Sequence, residues 1–173
     1  MMSTDTNSTK SAEDWYQEGL SLGRLNSNDA SIAAYQKAVE LDPANFRAWF
    51  NMWVRYGKVL KNVRAAESFR KALEIRPEDV MTHYSLAVVC NLIGETDNAL
   101  KHYHEAIRLN PDFAKAHSNL AMIHYSLKRG KDAVHHLLVA RKLFKEQGNL
   151  QMEENAKNIL NDCYKEFSIL PEQ

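Results

Sequence analysis

Residues 72–113 read ALEIRPEDVMTHYSLAVVCNLIGETDNALKHYHEAIRLNPDF. Apolar helical stretches here end in EIRP and RLNP, so Pro77 and Pro111 stand 34 residues apart; Pro43, after ELD, stands another 34 residues before Pro77. Proline cannot continue a helical hydrogen-bond ladder and disfavours helix in the residue before it, so each one stops a helix. A fixed interval between stops is the mark of a repeated helical unit.

Outward from this stretch, four copies can be laid over one another. The first, from Ala12, has Trp15, Gly19, Tyr35, Ala38 and Pro43 at the pattern positions; the second, from Phe46, has Trp49, Met52, Tyr56, Ala65, Phe69, Ala72 and Pro77. The third, from Val80, has His83 where the others carry an aromatic, then Leu86, Ala87, Gly94, Ala99, Tyr103, Ala106 and Pro111. The fourth, from Ala114, keeps His117, Leu120, Ala121, Ala133 and Ala140, but has Leu137 for the aromatic and Lys145 for the proline. Its second helix is therefore expected to run on.

The recurring Trp, Leu, Gly, Tyr, Ala, Phe and Pro positions resemble the tetratricopeptide repeat. Small residues let the two helices of a hairpin approach, and large ones fill the gaps between them. The resemblance implies an all-α fold: a right-handed α-solenoid of about four helix hairpins with a C-terminal capping helix, since stacked repeats need a closed end. The expected organisation is a disordered tail over 1–11, repeats over 12–45, 46–79, 80–113 and 114–147, a capping helix within 148–168 and a tail over 169–173. Helices are expected at about 12–25, 28–41, 45–58, 62–75, 79–92, 96–109, 113–127, 130–146 and 149–167.

Composition sets the outer bounds. Of 173 residues 45% are hydrophobic and 25% charged, as in ordinary globular chains, and six Gly with four Pro favour helices. Lys plus Arg and Asp plus Glu both count 22, which lacks the basic excess of a nucleic-acid binder. No nucleic-acid partner is expected. No apolar run reaches the roughly 18–20 residues of a membrane span, and the polar opening MMSTDTNSTK has no signal-peptide core, so a cytoplasmic protein is expected. Cys90 and Cys163 have no CxxC spacing and read as buried thiols.

In the family resembled, the first helix of each repeat lines the concave face, with its second, fifth, sixth, ninth, twelfth and thirteenth places aimed at a ligand. Those places here hold Tyr16, Leu20, Phe50, Val54, Met81, Tyr84, Val88, Met122 and Tyr125, an unusually apolar set. Such a face suits an apolar or amphipathic protein segment. Arg47 and Lys115, with Glu13, Arg24 and Lys58, leave a local excess of positive charge that would steer an acidic segment inward. The bland alternative is that these are solvated charges. Asn51 and Asn119 share the sixth place, and AHSNLA resembles repeats of the O-linked N-acetylglucosamine transferase, whose asparagine ladder grips a peptide backbone. Gln17 and Ser85 break that ladder.

The carboxylate clamp of chaperone co-factors would need Lys, Asn and Arg where this chain has Tyr16, Leu20, Asn51, Met81 and Ser85. Only Asn51 fits. The expected function is thus a protein-binding adaptor, with homo-oligomerisation through the same face as the alternative, and self-covering by the cap or tail as a third. Trp53 stands where the family keeps a small residue, and reads either as local repacking or as an aromatic anchor. None of the seven histidines has the i, i+4 spacing of a helical metal site, and no catalytic motif occurs. No metal, cofactor or catalytic residue is expected.

Overall fold

The computed structural model describes residues 10–170, and among these there are nine α-helices and no strand. Residues 1–9 of the expected N-terminal tail and 171–173 of the C-terminal one lie outside the described residues. The helices are α1 Ala12–Arg24, α2 Asn28–Leu41, α3 Phe46–Lys58, α4 Asn62–Ile75, α5 Val80–Leu92, α6 Thr96–Leu109, α7 Ala114–Ser126, α8 Gly130–Glu146 and α9 Leu150–Glu166. Each boundary falls within one residue of its expected place. Side-chain caps start several of them: Ser11 accepts from the Asp14 amide while Asp14 reaches back, Asn45 caps Ala48, Asp79 caps Thr82 and Asn149 caps Met152. α2, α4 and α6 each stop two residues before Pro43, Pro77 and Pro111. α8, with Lys145 in place of proline, extends to 17 residues against 14 for those three.

The chain divides into two compact units, one ending at Pro77 and one beginning at Glu78. In the first, α1 to α4 pack each against the next. Its core holds Tyr35, Met52 and Phe69 among Ala38, Ala48, Ala65 and Ala72, all essentially inaccessible. Gly19 shows why small residues recur: a Cβ there would stand 2.5 Å from the Tyr35 ring. The Ser31 hydroxyl seals the same crossing by donating to the Gly19 carbonyl at 2.6 Å.

In the second unit α5 to α9 pack in sequence, with Leu86, Tyr103, Leu120, Leu137 and Phe144 buried. α9 closes this unit, laying Ala156, Leu160 and Cys163 on Leu137, Ala140, Leu143 and Phe144 of α8. Phe167 sits so tightly over Gly130 that any side chain there would collide with its ring. Cys90 and Cys163 are both buried, Cys90 Sγ lying 3.7 Å from Glu95 Oε2, and burial pushes the Cys163 thiol up from its ordinary value.

Candidate functional site

In the first unit the first-helix face is built by α1 and α3. Helical spacing puts Tyr16, Leu20, Phe50 and Val54 on it, but the structure corrects the reading of Tyr16 as an open groove residue. Its ring is buried, covered by the Arg47 guanidinium at 4.5 Å and tilted against Tyr35 at 6.0 Å. Its hydroxyl accepts from Asn51 Nδ2 at 3.2 Å. Leu20, Phe50 and Val54 are half-buried, with Phe50 stacked on Phe46 at 5.8 Å and edge-on to Phe69 at 5.9 Å. Arg47, expected as a steering cation, is paired with Glu13 at 2.6 Å, both side chains about half exposed.

Trp53 repacks locally: its ring lies 4.8 Å from Phe69, and its Nε1 is buried without a hydrogen-bond partner. Arg55, which sequence reasoning passed over, donates to the Gly23 carbonyl at 2.8 Å and so ties α3 to the α1–α2 turn. A cleft of about 620 Å³ opens elsewhere in this unit, between α2, α3 and α4, over Trp49, Met52 and Tyr56. Arg64–Glu67 and Lys71–Glu74 pairs sit along its rim.

In the second unit α5 and α7 form the corresponding face. Met81 is 49% exposed and Met122 43%, while Tyr84 and Val88 are half-buried and Lys115 is exposed. Asn119 Nδ2 donates to the hydroxyls of Tyr84 and Tyr103, each at 3.2 Å, and Tyr84 also lies 4.8 Å from the Phe113 ring. Burial raises the pKa of both tyrosines, so they stay neutral. Tyr125 is half-buried beside Phe167 at 5.5 Å, so the residue following the closing helix partly covers the end of this face. The two asparagines read as peptide-gripping therefore spend their donors on tyrosines 35 residues earlier in the chain.

Four of the seven histidines, which show no metal spacing along the sequence, pair between helices. His83 and His102 face one another through Nδ1 at 3.0 Å, and His117 and His136 do so at 3.1 Å. The sequence did hold a signal for this, since both partners recur 34 residues later. Among the described residues no three His, Cys, Asp or Glu side chains converge as metal ligands would. No helix among them is long and apolar enough to cross a membrane.

Comparison with known proteins matches the "TPR repeat" family over residues 19–52 and 89–128. A crystal structure of MamA superposes with a TM-score of 0.76 over 91% of this chain and 88% of that one, at 20% identity. Over residues 19–52 and 89–128 the chain carries the tetratricopeptide repeat. Its fold class is the α-solenoid of helix hairpins with a closing C-terminal helix. A second neighbour, MamA residues 41 to end from Desulfovibrio magneticus RS-1, gives a TM-score of 0.72 at 20% identity over 79% of this chain and 77% of that one. A third, the first tetratricopeptide domain of Spaghetti (RPAP3) bound to the HSP90 peptide SRMEEVD, gives 0.63 at 20% identity over 68% of this chain and 93% of that one. No curated protein matches the chain in sequence.

Proposed function

We propose that this tetratricopeptide protein is a non-catalytic adaptor that holds an apolar or amphipathic segment of another protein against the first-helix faces of its repeats, 12–45, 46–79, 80–113 and 114–147. The observation that carries the reading is the pair of half-exposed methionines, Met81 and Met122, beside Tyr84 and Val88. Methionine is flexible and polarisable, which suits a surface that adapts to a bound side chain. Leu20, Phe50 and Val54 extend the same chemistry to the first unit. The RPAP3 domain shows that a chain of this fold holds a peptide. The occupant here differs in kind, because Tyr16, Leu20, Met81 and Ser85 supply none of the cations of a carboxylate clamp.

The partner is to be captured from the source cell and identified by mass spectrometry, and its binding segment then titrated calorimetrically. Met122→Asp and Met81→Asp are expected to weaken binding at least about tenfold, since each puts a charge into an apolar contact. Lys71→Glu, on the cleft across α2 and α4, is expected to leave it unchanged. The reverse pattern would place the interaction surface on the second helices. A concentration-dependent dimer in light scattering that Met122→Asp abolishes would make homo-oligomerisation the better account of the same face.

A further inference from the structure

All seven histidines of the chain lie beyond Glu78, and in the second unit His104, His117, His124 and His136 meet on a seam between α6, α7 and α8. At 3.1 Å, His117 Nδ1 and His136 Nδ1 must share one hydrogen: one ring donates and the other accepts. The tautomers follow from a third group. His117 Nε2 lies 3.1 Å from the Pro111 carbonyl, which can only accept, so Nε2 carries hydrogen and Nδ1 of a neutral His117 is the acceptor. His136 is then the Nδ1–H donor. A single proton on the pair still leaves one donor and one acceptor, whereas a second, putting hydrogen on both Nδ1 atoms, would leave two donors facing each other and break the bond from α8 to α7. His124 completes the seam, stacked 5.6 Å from the His136 ring with its own Nδ1 buried and lacking a hydrogen-bond partner.

We propose that the His117–His136 pair, with His124 beside it, is an acid-sensitive fastening that holds α7 to α8 while its rings are neutral and loosens them as protons enter. Groups on α6, α7 and α8 and on the turns beside them act on it. Burial first, and then like charge from His117 and His124 of α7, His135 of α8 and His104 of α6, push His136 down to about 4. Burial also lowers His117 and His124, against the opposing pull of Asp112 on the first and Asp132, 3.8 Å away, on the second. His104 opposes charge on both, and Arg129 opposes it on His124.

The sign follows. Folded pKa values lie below the ordinary 6.5, so the unfolded segment binds more protons, and stability present above that value is lost as pH falls from 6.5 toward 4. His136 alone accounts for about a tenfold rise in the opening constant between pH 7.5 and 5.5. The step from pH 7.5 to 5.5 lies above the range in which ordinary carboxylates titrate.

The test is amide hydrogen exchange on the full chain at pH 7.5 and 5.5, corrected for the intrinsic pH dependence of exchange. Protection of α7 and α8 is expected to fall at least about tenfold, while α3 and α4, in the unit without histidine, serve as the internal reference. The double variant His117→Phe/His136→Phe, which keeps ring volume, is expected to lose most of that change. Should it not fold, imidazole NMR on the wild-type chain decides: His117 is expected as the Nε2–H tautomer and His136 as neutral at pH 5.5. Protection in α7 and α8 that changes less than about twofold, a double variant as acid-sensitive as wild type, or a charged His136 at pH 5.5 with both helices still protected would overturn the proposal.

Discussion

Leu60 carries the clearest local cost in the chain. The α3–α4 turn puts it at φ +58°, in the left-handed region where a Cβ crowds the following carbonyl, and its side chain is 84% exposed. The equivalent turns use Asn26 at +59°, Gly94 at +81° and Lys128 at +59°. Leucine gains nothing there by burial, so Leu60→Gly is expected to stabilise the fold by about 0.5–1 kcal/mol, the strain relieved less the added chain entropy of glycine. Thermal melting should show a rise of a few degrees. The opposite sign is expected at Asn119, whose amide serves the buried Tyr103 hydroxyl. Asn119→Ala leaves that hydroxyl without its donor and should cost about 1–3 kcal/mol in urea unfolding. Combining it with Tyr103→Phe should recover part of the loss, since the orphaned group is then gone as well.

At the scale of the helix, the proline interval and the alternation of small and large residues made the boundaries legible to within a residue, because both act along one chain segment. What spans two helices was less legible. The burial of Tyr16 depends on Arg47 lying over it and on Asn51 reaching its hydroxyl, and no local pattern declares either. Nor does any local pattern declare that Phe167 lies beside Tyr125, because the turn of Phe167 onto Gly130 depends on how α9 leaves α8. The histidine pairs were visible as a doubled spacing, yet within one helix that spacing says nothing of the partner ring. α9 itself was legible as a closing helix, and removing residues 149–173 should expose Leu137, Ala140, Leu143 and Phe144. At roughly 25 cal/mol per Å² of apolar surface this should lower stability by several kcal/mol. Leu160→Ala is the milder check, at about 2–5 kcal/mol in urea unfolding.

At the scale of the whole molecule, equal numbers of acidic and basic side chains remove long-range charge as the source of affinity. On the proposed reading, recognition comes from apolar contact on the first-helix faces, trimmed by a few local cations. Phe50 and Tyr84 are the aromatic residues that the proposal makes anchors in the first and second units respectively, and each is half-buried against its own helices. Truncating a buried aromatic anchor typically costs about 1–3 kcal/mol of binding. Phe50→Ala and Tyr84→Ala should each weaken the identified partner by that amount, seen mainly as faster dissociation. Because each also supports a neighbouring ring, Phe69 or Phe113, stability must be measured beside affinity. The softer variants Phe50→Leu and Tyr84→Phe should keep the fold and give smaller losses. Charge reversal at Lys115, which is exposed, should instead slow association and flatten its salt dependence. Arg47→Glu should do more, because it also uncovers Tyr16 and breaks the pair with Glu13. If Phe50→Ala and Tyr84→Ala leave affinity unchanged while Trp49→Ala in the α2–α4 cleft abolishes it, partners bind the second-helix side and the first-helix faces serve packing alone.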